Sequence, residues 1–401
     1  MNRVDFLIVG GGIIGTSIAL GLAERGLENI LVIEKEDAPG RHASGRNSGV
    51  LHAGLYYAPD SLKAKFCAEG NKIFRKYCEE RGLRINSYGK VVVCKNHSEI
   101  ETLYELEKRG KANGVDIKII DKKELKGIEP YAYTYKKALF SPNTAVVDPK
   151  QVLESLIKDV KGHGVKFMYN SKLLDIKNDN AITSKGKIRF KHLVNCAGLY
   201  ADWLAHKFDV GLDYTILPFK GIFKKLRKEK GFFVKSNIYP VPNLKNPFLG
   251  IHFTRTVYGD VIVGPTAMPA FGRENYKKFD GLDVKEFFSI FTREMYLFIK
   301  NKANFRDIAI DEMRKYVDYV FYKEAKKLVP LLSYRDIRES NNVGIRAQLL
   351  DTKTGKLIMD FLVINGERST HILNAVSPAF TSSIPFSRYV VENHIIPKYT
   401  V

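Results

Sequence analysis

Short apolar runs and glycine-rich turns alternate over the first forty residues. Residues 4–9 are apolar apart from Asp5 and rich in β-branched side chains, which predicts a buried parallel strand. Three glycines follow, and then apolar positions recur at helical spacing over 16–25, as far as Gly26. A second strand is predicted over 30–33, directly before Glu34. This order of strand, glycine turn, helix, strand and acidic residue predicts a mononucleotide-binding βαβ unit.

Residues 10–15 fit the pattern GxGxxG, in which each glycine has a physical reason. Gly10 permits the tight turn, Gly12 lets the backbone approach a pyrophosphate, and Gly15 allows the helix to pack closely on the strand. Phosphates are expected at the positive end of that helix. Glu34 can accept hydrogen bonds from ribose hydroxyls and disfavours a 2′-phosphate, which argues against NADP. The motif alone does not separate FAD from NAD.

Later segments of small residues favour a flavin. The run over 43–54 suits a backbone that passes close to a flat ring system, although an ordinary glycine-rich surface loop is the alternative. A strand over 188–195 leads into a small-residue turn, and a strand over 372–376 leads into a proline that starts a helix. Further strands are predicted over 89–94 and 260–263, and helices over 99–112, 148–160 and 301–327.

Composition and charge add limits to this picture. The 401 residues predict two domains, and the four cysteines lack CxxC spacing, which favours reduced thiols in the cytosol over a disulfide framework or a zinc site. The uncharged stretch over 6–23 imitates a signal peptide, but its central glycines favour a strand, turn and helix, and no stretch predicts a membrane span. The net charge of +20 is compatible with a lysine-rich solvated surface, contact with an anionic membrane, or nucleic-acid binding. The absence of a compact basic-aromatic motif disfavours nucleic acid.

Eight segments together resemble the L-2-hydroxyglutarate dehydrogenase/oxidase family, within the D-amino-acid-oxidase-like superfamily of FAD oxidoreductases. They follow one another in order along essentially the whole chain: RNSGVLHAGLYY (46–57), SLKAKFCAEGN (61–71), VNCAGLYAD (194–202), LPFKG (217–221), IYPVPN (238–243), PFLGIHFTR (247–255), GIRAQ (344–348) and NAVSPAFTSSIP (374–385). The chain departs from the family at Arg46, where a histidine is common, and at 375–376, where Ala–Pro is common.

The resemblance implies an α/β protein with an α+β second domain. A discontinuous Rossmann-like FAD domain would comprise residues 1–82, 146–214 and 340–401, and an interleaved mixed-sheet substrate domain would comprise 83–145 and 215–339. The expected cofactor-binding residues are Gly10, Gly12, Ile13, Ile14, Gly15, Glu34, Lys35, Ser44, Arg46, Asn47, Ser48, Gly49, Val50, Ala197, Gly198, Ser377, Pro378, Ala379, Thr381 and Ser382. We expect non-covalent FAD, because no cysteine lies near the carboxyl-terminal cofactor segment, and no cluster of residues predicts a metal site.

Oxidation of a 2-hydroxy acid requires a base for the hydroxyl proton, and histidine has a suitable ordinary pKa. His252 is the candidate on the substrate side and His52 the candidate on the flavin side, although their roles could be exchanged and either could be a packed histidine. His97, His163 and His192 have polar or charged neighbours in the sequence and are expected at the surface.

A dicarboxylate substrate calls for cations and neutral donors. The candidates are Arg346, Lys220, Arg255, Gln348, Thr254 and Tyr57. The leading hypothesis is oxidation of L-2-hydroxyglutarate to 2-oxoglutarate, with oxygen, a quinone or another carrier as electron acceptor. The alternatives are another small substrate, such as an amino acid, an amine or glycerol 3-phosphate, and a flavoprotein that binds nucleic acid. The expected location is the cytoplasm, with peripheral contact to the inner face of the cell membrane possible for quinone reduction. The oligomeric state is left open.

Overall fold

The computed structural model describes residues 3–244, 246, 248–277, 281 and 283–398, so Pro247 of the family-like segment 247–255 lies outside the described residues. The helices are α1 (Ile13–Glu24), α2 (Leu62–Glu80), α3 (Ile100–Ala112), α4 (Lys122–Ile128), α5 (Pro149–Gly162), α6 (Ala201–His206), α7 (Val284–Lys300), α8 (Phe305–Arg314), α9 (Asp318–Leu328) and α10 (Ala379–Val390). The strands are β1 (Arg3–Val9), β2 (Ile30–Ile33), β3 (Val50–Leu51), β4 (Ile85–Asn86), β5 (Lys90–Val93), β6 (Lys118–Asp121), β7 (Lys137–Ser141), β8 (Ala145–Val147), β9 (Lys166–Met168), β10 (Leu173–Lys177), β11 (Asn180–Thr183), β12 (Gly186–Asn195), β13 (Tyr214–Ile222), β14 (Lys224–Leu226), β15 (Asn237–Pro240), β16 (His252–Arg255), β17 (Val261–Gly264), β18 (Met268–Pro269), β19 (Ile337–Arg338), β20 (Val343–Asp351), β21 (Leu362–Gly366) and β22 (Ser369–Asn374).

The contacts divide the chain into two compact units. Unit 1 comprises Met1–Asn47, Pro149–Pro218 and Arg346–Val401, and unit 2 comprises Ser48–Asp148 and Phe219–Ile345. The division expected from the sequence differs mainly over residues 48–82, which the contacts group with unit 2. The reason is a small antiparallel sheet of unit 2, in which β8 lies between β3 and β4 and thereby ties residues 48–82 to the segment before α5.

Unit 1 is built on an eight-stranded sheet. Its strands run in the order β10-β11-β12-β1-β2-β9, and β22 also pairs with β12 and carries β21 on its other side. The pairs β1–β2, β1–β12, β12–β22 and β2–β9 are parallel, and helices α1, α5 and α10 pack together beside them. Because this central part is parallel and covered, β1 and β2 are largely apolar and buried, as residues 4–9 predicted.

Unit 2 is built on a second eight-stranded sheet, in the order β19-β14-β17-β16-β15-β5-β7-β6. It is mixed, since β5 and β15 are parallel while their other neighbours are antiparallel. One face, with Val91, Ile238 and Phe253, forms a core with residues of α9. The other face packs against α3 and the segment around Tyr56. The predicted α/β class, with mixed sheets, is confirmed.

Two expectations about single residues have different outcomes. His192 is buried in β12, where its Nε2 lies 3.0 Å from Thr370 Oγ1, so the expectation of a surface histidine is wrong. Its neighbour Lys191 suggested an exposed segment, but the strand alternates and only one of its faces meets solvent. The four cysteines are free, as predicted, and three of them are buried.

Candidate active site

The predicted nucleotide-binding segments of unit 1 follow four neighbouring parallel strands. In space these strands lie in the order β22, β12, β1, β2, and the segments begin directly after them, at residues 375, 196, 10 and 34. Carboxyl ends of adjacent parallel strands meet at one edge of a sheet, which is where open α/β sheets bind their ligands. The structure therefore brings together four segments that are separated by up to about 365 residues along the chain.

The glycine turn after β1 is closed to any larger residue. A Cβ atom on Gly10 would lie 2.4 Å from the carbonyl oxygen of Cys196, and one on Gly15 would lie 2.0 Å from the carbonyl oxygen of Gly10. Gly10 also has a φ of +110°, a backbone conformation that residues other than glycine rarely adopt. The turns after β1 and β12 consequently pack backbone against backbone, and α1 begins directly above β1 with its amino terminus at the sheet edge.

Glu34 is fixed at the same edge by two backbone amides. Its Oε2 accepts a hydrogen bond from the Gly11 amide, and its Oε1 accepts one from the Glu36 amide, each at 3.0 Å. These bonds hold the carboxylate beside the glycine turn, as a ribose-binding acid requires. The side chain of Lys35 pairs with Glu36, which in turn lies 2.8 Å from His42 Nε2.

The small-residue loop after β2 folds back on the start of α1. Ser44 Oγ accepts a hydrogen bond of 2.9 Å from the Ile13 amide, and a Cβ on Gly12 would lie 2.8 Å from the same oxygen. Asn47 donates to the carbonyl oxygen of Ser44 at 2.9 Å, and Arg46 donates to the carbonyl oxygen of Arg41 at 2.5 Å. This loop thus approaches the predicted phosphate position, whereas Ser48, Gly49 and Val50 of the expected cofactor set belong to unit 2.

The last of the predicted cofactor segments of unit 1 is the start of α10. Pro378 caps this helix, and α10 packs along α1. Ser382 and Ser383 are buried, and their hydroxyl oxygens have no hydrogen-bond partner among the described residues. Buried hydroxyls of this kind call for a polar ligand or water. Together with the glycine cradle and Glu34, they fit a bound dinucleotide.

His252 occupies a buried position on β16, in the eight-stranded sheet of unit 2. Its Nδ1 lies 2.7 Å from the carbonyl oxygen of Gly250, and its ring stacks on Tyr239 with 3.8 Å between the centroids. The carbonyl can only accept, so Nδ1 carries the proton and Nε2 has a free lone pair. Burial lowers the pKa of His252 to about 3, the bond to Gly250 opposes this shift, and the charge of Lys90 adds to it. The imidazole is therefore neutral at physiological pH.

Lys90 is the functional candidate that sequence reasoning missed. Its side chain is fully buried, and its Nζ lies over the rings of Tyr239 and Tyr56, 4.3 and 4.9 Å from their centroids. No described residue accepts a hydrogen bond from it. Burial lowers the pKa of Lys90 to about 7. Burying an amine without an acidic partner lowers the stability of the folded protein, and such groups cluster at functional sites.

The register of three strands assembles this cluster. Lys90 on β5 is paired with Asn237 on β15, which is paired with Thr254 on β16. Side chains two residues apart share a face, so Tyr239 and His252 lie on the same face as this row. We call Tyr56, Lys90, Tyr239 and His252 the Lys90 cluster. The signal in the sequence was a lysine between a glycine and three valines, in a segment predicted to be a strand.

The other predicted substrate-side residues lie in different surroundings. Lys220 is half-buried, with its Nζ 2.9 Å from Asn275 Oδ1, and burial lowers its pKa. Arg255 donates to the carbonyl oxygens of Val234 and Gly231 at 2.8 and 3.3 Å, which ties its guanidinium to the protein backbone. Thr254 is buried next to the Lys90 cluster.

Two more candidates, His52 and Tyr57, lie in the segment around Tyr56 of unit 2. Asn71 donates to the carbonyl oxygen of His52 at 3.3 Å, and Asn113 donates to that of Tyr57 at 3.0 Å, so neighbouring helices fix this segment. Arg346 and Gln348 belong to unit 1, where Gln348 donates to the carbonyl oxygen of Ile358 at 2.7 Å.

Comparison with known proteins decides the family. A model of the FAD-dependent oxidoreductase family (DAO) matches residues 5–393. The chain belongs to this family. The L-2-hydroxyglutarate dehydrogenase of Indibacter alkaliphilus is 37% identical over 399 residues, which cover 97% of this chain and 98% of that protein. The human mitochondrial protein of the same name is 35% identical over 429 residues, covering 98% of this chain and 88% of that protein. The resemblance noted in the sequence is confirmed.

Solved structures agree on the fold. The L-alpha-glycerophosphate oxidase of Mycoplasma pneumoniae, solved with FAD bound, has a TM-score of 0.77 at 22% identity, over 98% of this chain and 94% of that one. The L-proline dehydrogenase of P. horikoshii has a TM-score of 0.71 at 18% identity, over 98% and 94% of the two chains.

FAD is the cofactor of this oxidoreductase, and the strand-end segments of unit 1 have the features that its dinucleotide requires. The glycine turn would hold the pyrophosphate, Glu34 would bind a ribose, and the small residues would let the backbone approach the cofactor. Among the described residues, no helix combines the length and apolar character needed to span a bilayer.

Proposed function

We propose that this FAD-dependent oxidoreductase oxidises L-2-hydroxyglutarate to 2-oxoglutarate. The substrate is suggested by relatives of that name at 34–37% identity over nearly the whole chain. The observation that carries the reaction type is His252, a buried neutral imidazole with one nitrogen bound to a carbonyl and the other available to a hydroxyl proton. Bound FAD would supply the hydride acceptor.

His252 is proposed as the base. The Gly250 carbonyl fixes its tautomer, so Nε2 is the atom that takes the proton from the substrate hydroxyl. A free imidazole with so low a pKa would be a weak base. A substrate with two carboxylates brings negative charge to it, which raises its pKa and stabilises the imidazolium as it forms. The strength of His252 as a base therefore depends on the negative charge of the bound substrate.

Lys90 is proposed as a positioning residue that acts through His252. Its amine over the Tyr239 ring orders the ring on which His252 stacks, and its charge disfavours protonation of the imidazole before substrate binds. The ring of Tyr56 is the second aromatic contact of this amine, and no described acidic residue forms a hydrogen bond with it.

The substrate carboxylates are proposed to bind Arg346 and Lys220, with Gln348, Thr254 and Tyr57 as neutral hydrogen-bonding candidates. Arg255 is the weakest of the candidates, because its guanidinium is already bound to two backbone carbonyls. His52 remains the candidate for the flavin side. Each of these roles can be tested by substituting the residue and measuring the affinity for the substrate.

We further propose that FAD is held without a covalent bond. Cys67, Cys78 and Cys94 are buried in unit 2, and burial raises the pKa of the Cys196 thiol of unit 1, which makes it a poor nucleophile. Acid precipitation should leave the yellow colour in the supernatant. Flavin that stays with the precipitate would contradict this proposal.

The electron acceptor is proposed to be oxygen, a quinone or another carrier, and the location to be the cytoplasm with peripheral membrane contact. The net charge of +20 supports attraction to anionic surfaces.

A substrate panel with a redox dye tests the proposed substrate against the alternatives. We expect turnover with L-2-hydroxyglutarate to exceed that with glycine, L-proline or glycerol 3-phosphate by at least about 100-fold in kcat/KM, because a site built for two carboxylates rejects substrates that leave its cations unpaired. Turnover of an amino acid with none of L-2-hydroxyglutarate would overturn the substrate and keep the flavin fold.

A further inference from the structure

Helix α7 of unit 2 exposes a row of large apolar side chains. Val284, Phe288, Phe291, Met295 and Ile299 are three or four residues apart and between 37% and 70% exposed. This spacing places them on one face of the helix. Ile290, Glu294 and Leu297 lie on another face and are buried. We call the five exposed residues the α7 face. Helix α7 thus has one side for its own core and a second apolar side without a covering element among the described residues.

The neighbouring helices add to this exposed apolar surface. Helix α8 packs against α7, and large apolar side chains near its end and at the start of α9 are at least half exposed. They are Met313, Tyr316, Val317 and Tyr319. Single exposed apolar residues are ordinary on soluble proteins, but rows of them mark an interaction surface.

Charge around the α7 face favours an anionic partner. Segment 284–302 contains Lys285, Arg293, Lys300 and Lys302 against the two carboxylates Glu286 and Glu294. Burial raises the pKa of Glu294 to about 8, so this carboxyl is neutral at physiological pH. The protein as a whole carries a formal charge of +20. A second copy of the chain would bring the same positive charge, which opposes self-association.

We propose that the α7 face docks on an anionic phospholipid bilayer. Phenylalanine, isoleucine and methionine side chains would enter the boundary between headgroups and acyl chains, while the lysines at the ends of α7 contact lipid phosphates. Helix α7 would lie in the plane of the interface, since it is too short and too charged to span a bilayer. This surface specifies the membrane contact of the proposed function and does not depend on the substrate.

Vesicle flotation of the holoenzyme tests the surface. We expect binding to vesicles of phosphatidylcholine with phosphatidylglycerol, weaker binding to phosphatidylcholine alone, and a decrease at high salt. The double variant Phe288→Glu, Ile299→Glu should lose roughly tenfold or more of the binding, because two buried contacts are replaced by charges that the lipid repels. Dye-linked turnover of the free enzyme should stay unchanged.

The matched control carries two glutamates at exposed leucines of unit 1. Leu174→Glu, Leu212→Glu changes the net charge equally, at residues 50% and 61% exposed, and should keep vesicle binding. Absent binding by the wild-type enzyme, or an equal loss in both double variants, would overturn the proposal. A wild-type dimer that the α7 variant converts to a monomer, without any vesicle binding, would assign the surface to a second copy and also overturn it. Because flotation needs no turnover, failure of the proposed substrate leaves this test intact.

Discussion

Replacement of His252 by asparagine should slow flavin reduction by L-2-hydroxyglutarate by roughly 10²–10⁴-fold, the usual contribution of a general base. The amide can keep a hydrogen bond to the Gly250 carbonyl but offers no nitrogen lone pair to the hydroxyl proton. Flavin content should not change, because the glycine cradle and Glu34 belong to unit 1. The rate of absorbance loss after anaerobic mixing measures the effect.

The control for His252 is His192, which is also buried in a strand but lies in the sheet of unit 1. His192→Asn should lower the free energy of unfolding, because its imidazole contacts Thr370 inside the sheet. The rate of flavin reduction should stay close to that of the wild type. If His252→Asn reduces the flavin within about threefold of the wild-type rate, His252 is not the base, and His52→Asn becomes the next variant to measure.

Replacement of Lys90 by methionine should stabilise the protein and move the pH dependence of flavin reduction. A pKa lowered from 10.5 to about 7 corresponds to a cost of about 5 kcal/mol, of which the two ring contacts offset a part. We therefore expect the free energy of unfolding to rise by about 2–4 kcal/mol at pH 7. Methionine fills a similar volume and removes the buried charge.

The pH dependence of this stabilisation follows from the sign of the shift. The pKa of Lys90 is lower in the folded protein, so folding releases a proton between pH 7 and 10.5. The advantage of Lys90→Met should be largest below pH 7, shrink as pH rises, and vanish near 10.5. Without the Lys90 charge the pKa of His252 rises, so the acid limb of the reduction rate should move to higher pH. Denaturant unfolding and a pH series of reduction rates measure the two effects.

Lys224 provides the matched control for Lys90. It is also a buried lysine of the same sheet, but its Nζ pairs with Asp318 at 2.7 Å and with Glu339. Lys224→Met removes the partner of two carboxylates and should destabilise the protein without moving the pH profile. If Lys90→Met is destabilised to the same degree and the pH profile of its flavin reduction is unchanged, Lys90 only packs in the core and does not act on His252.

The sequence predicted the cofactor end of the fold well because its signals are local. Residues 30–33 form the strand at the predicted bounds, and the helix predicted over 16–25 runs from Ile13 to Glu24. Glycines and apolar spacing act within one turn of chain, so their pattern is readable without tertiary contacts. The helix begins earlier than predicted because Gly12 caps it directly after the tight turn.

The Lys90 cluster and the α7 face could not be predicted from the sequence, because both depend on tertiary structure. The cluster depends on the register of β5, β15 and β16, which are separated by up to about 160 residues along the chain and are not paired by any local pattern. The α7 face depends on which of two apolar sides the fold covers. The amphipathic helices predicted over 301–327 started too late to include it.

The central claim is that a flavin in this protein takes a hydride from L-2-hydroxyglutarate, and anaerobic addition of that substrate to the purified holoenzyme tests it most directly. We predict that the absorbance of the oxidised flavin, near about 450 nm, disappears and that one 2-oxoglutarate forms per flavin. A yellow protein that keeps its colour with L-2-hydroxyglutarate, yet is bleached by dithionite, would contradict the substrate and the role of His252 together.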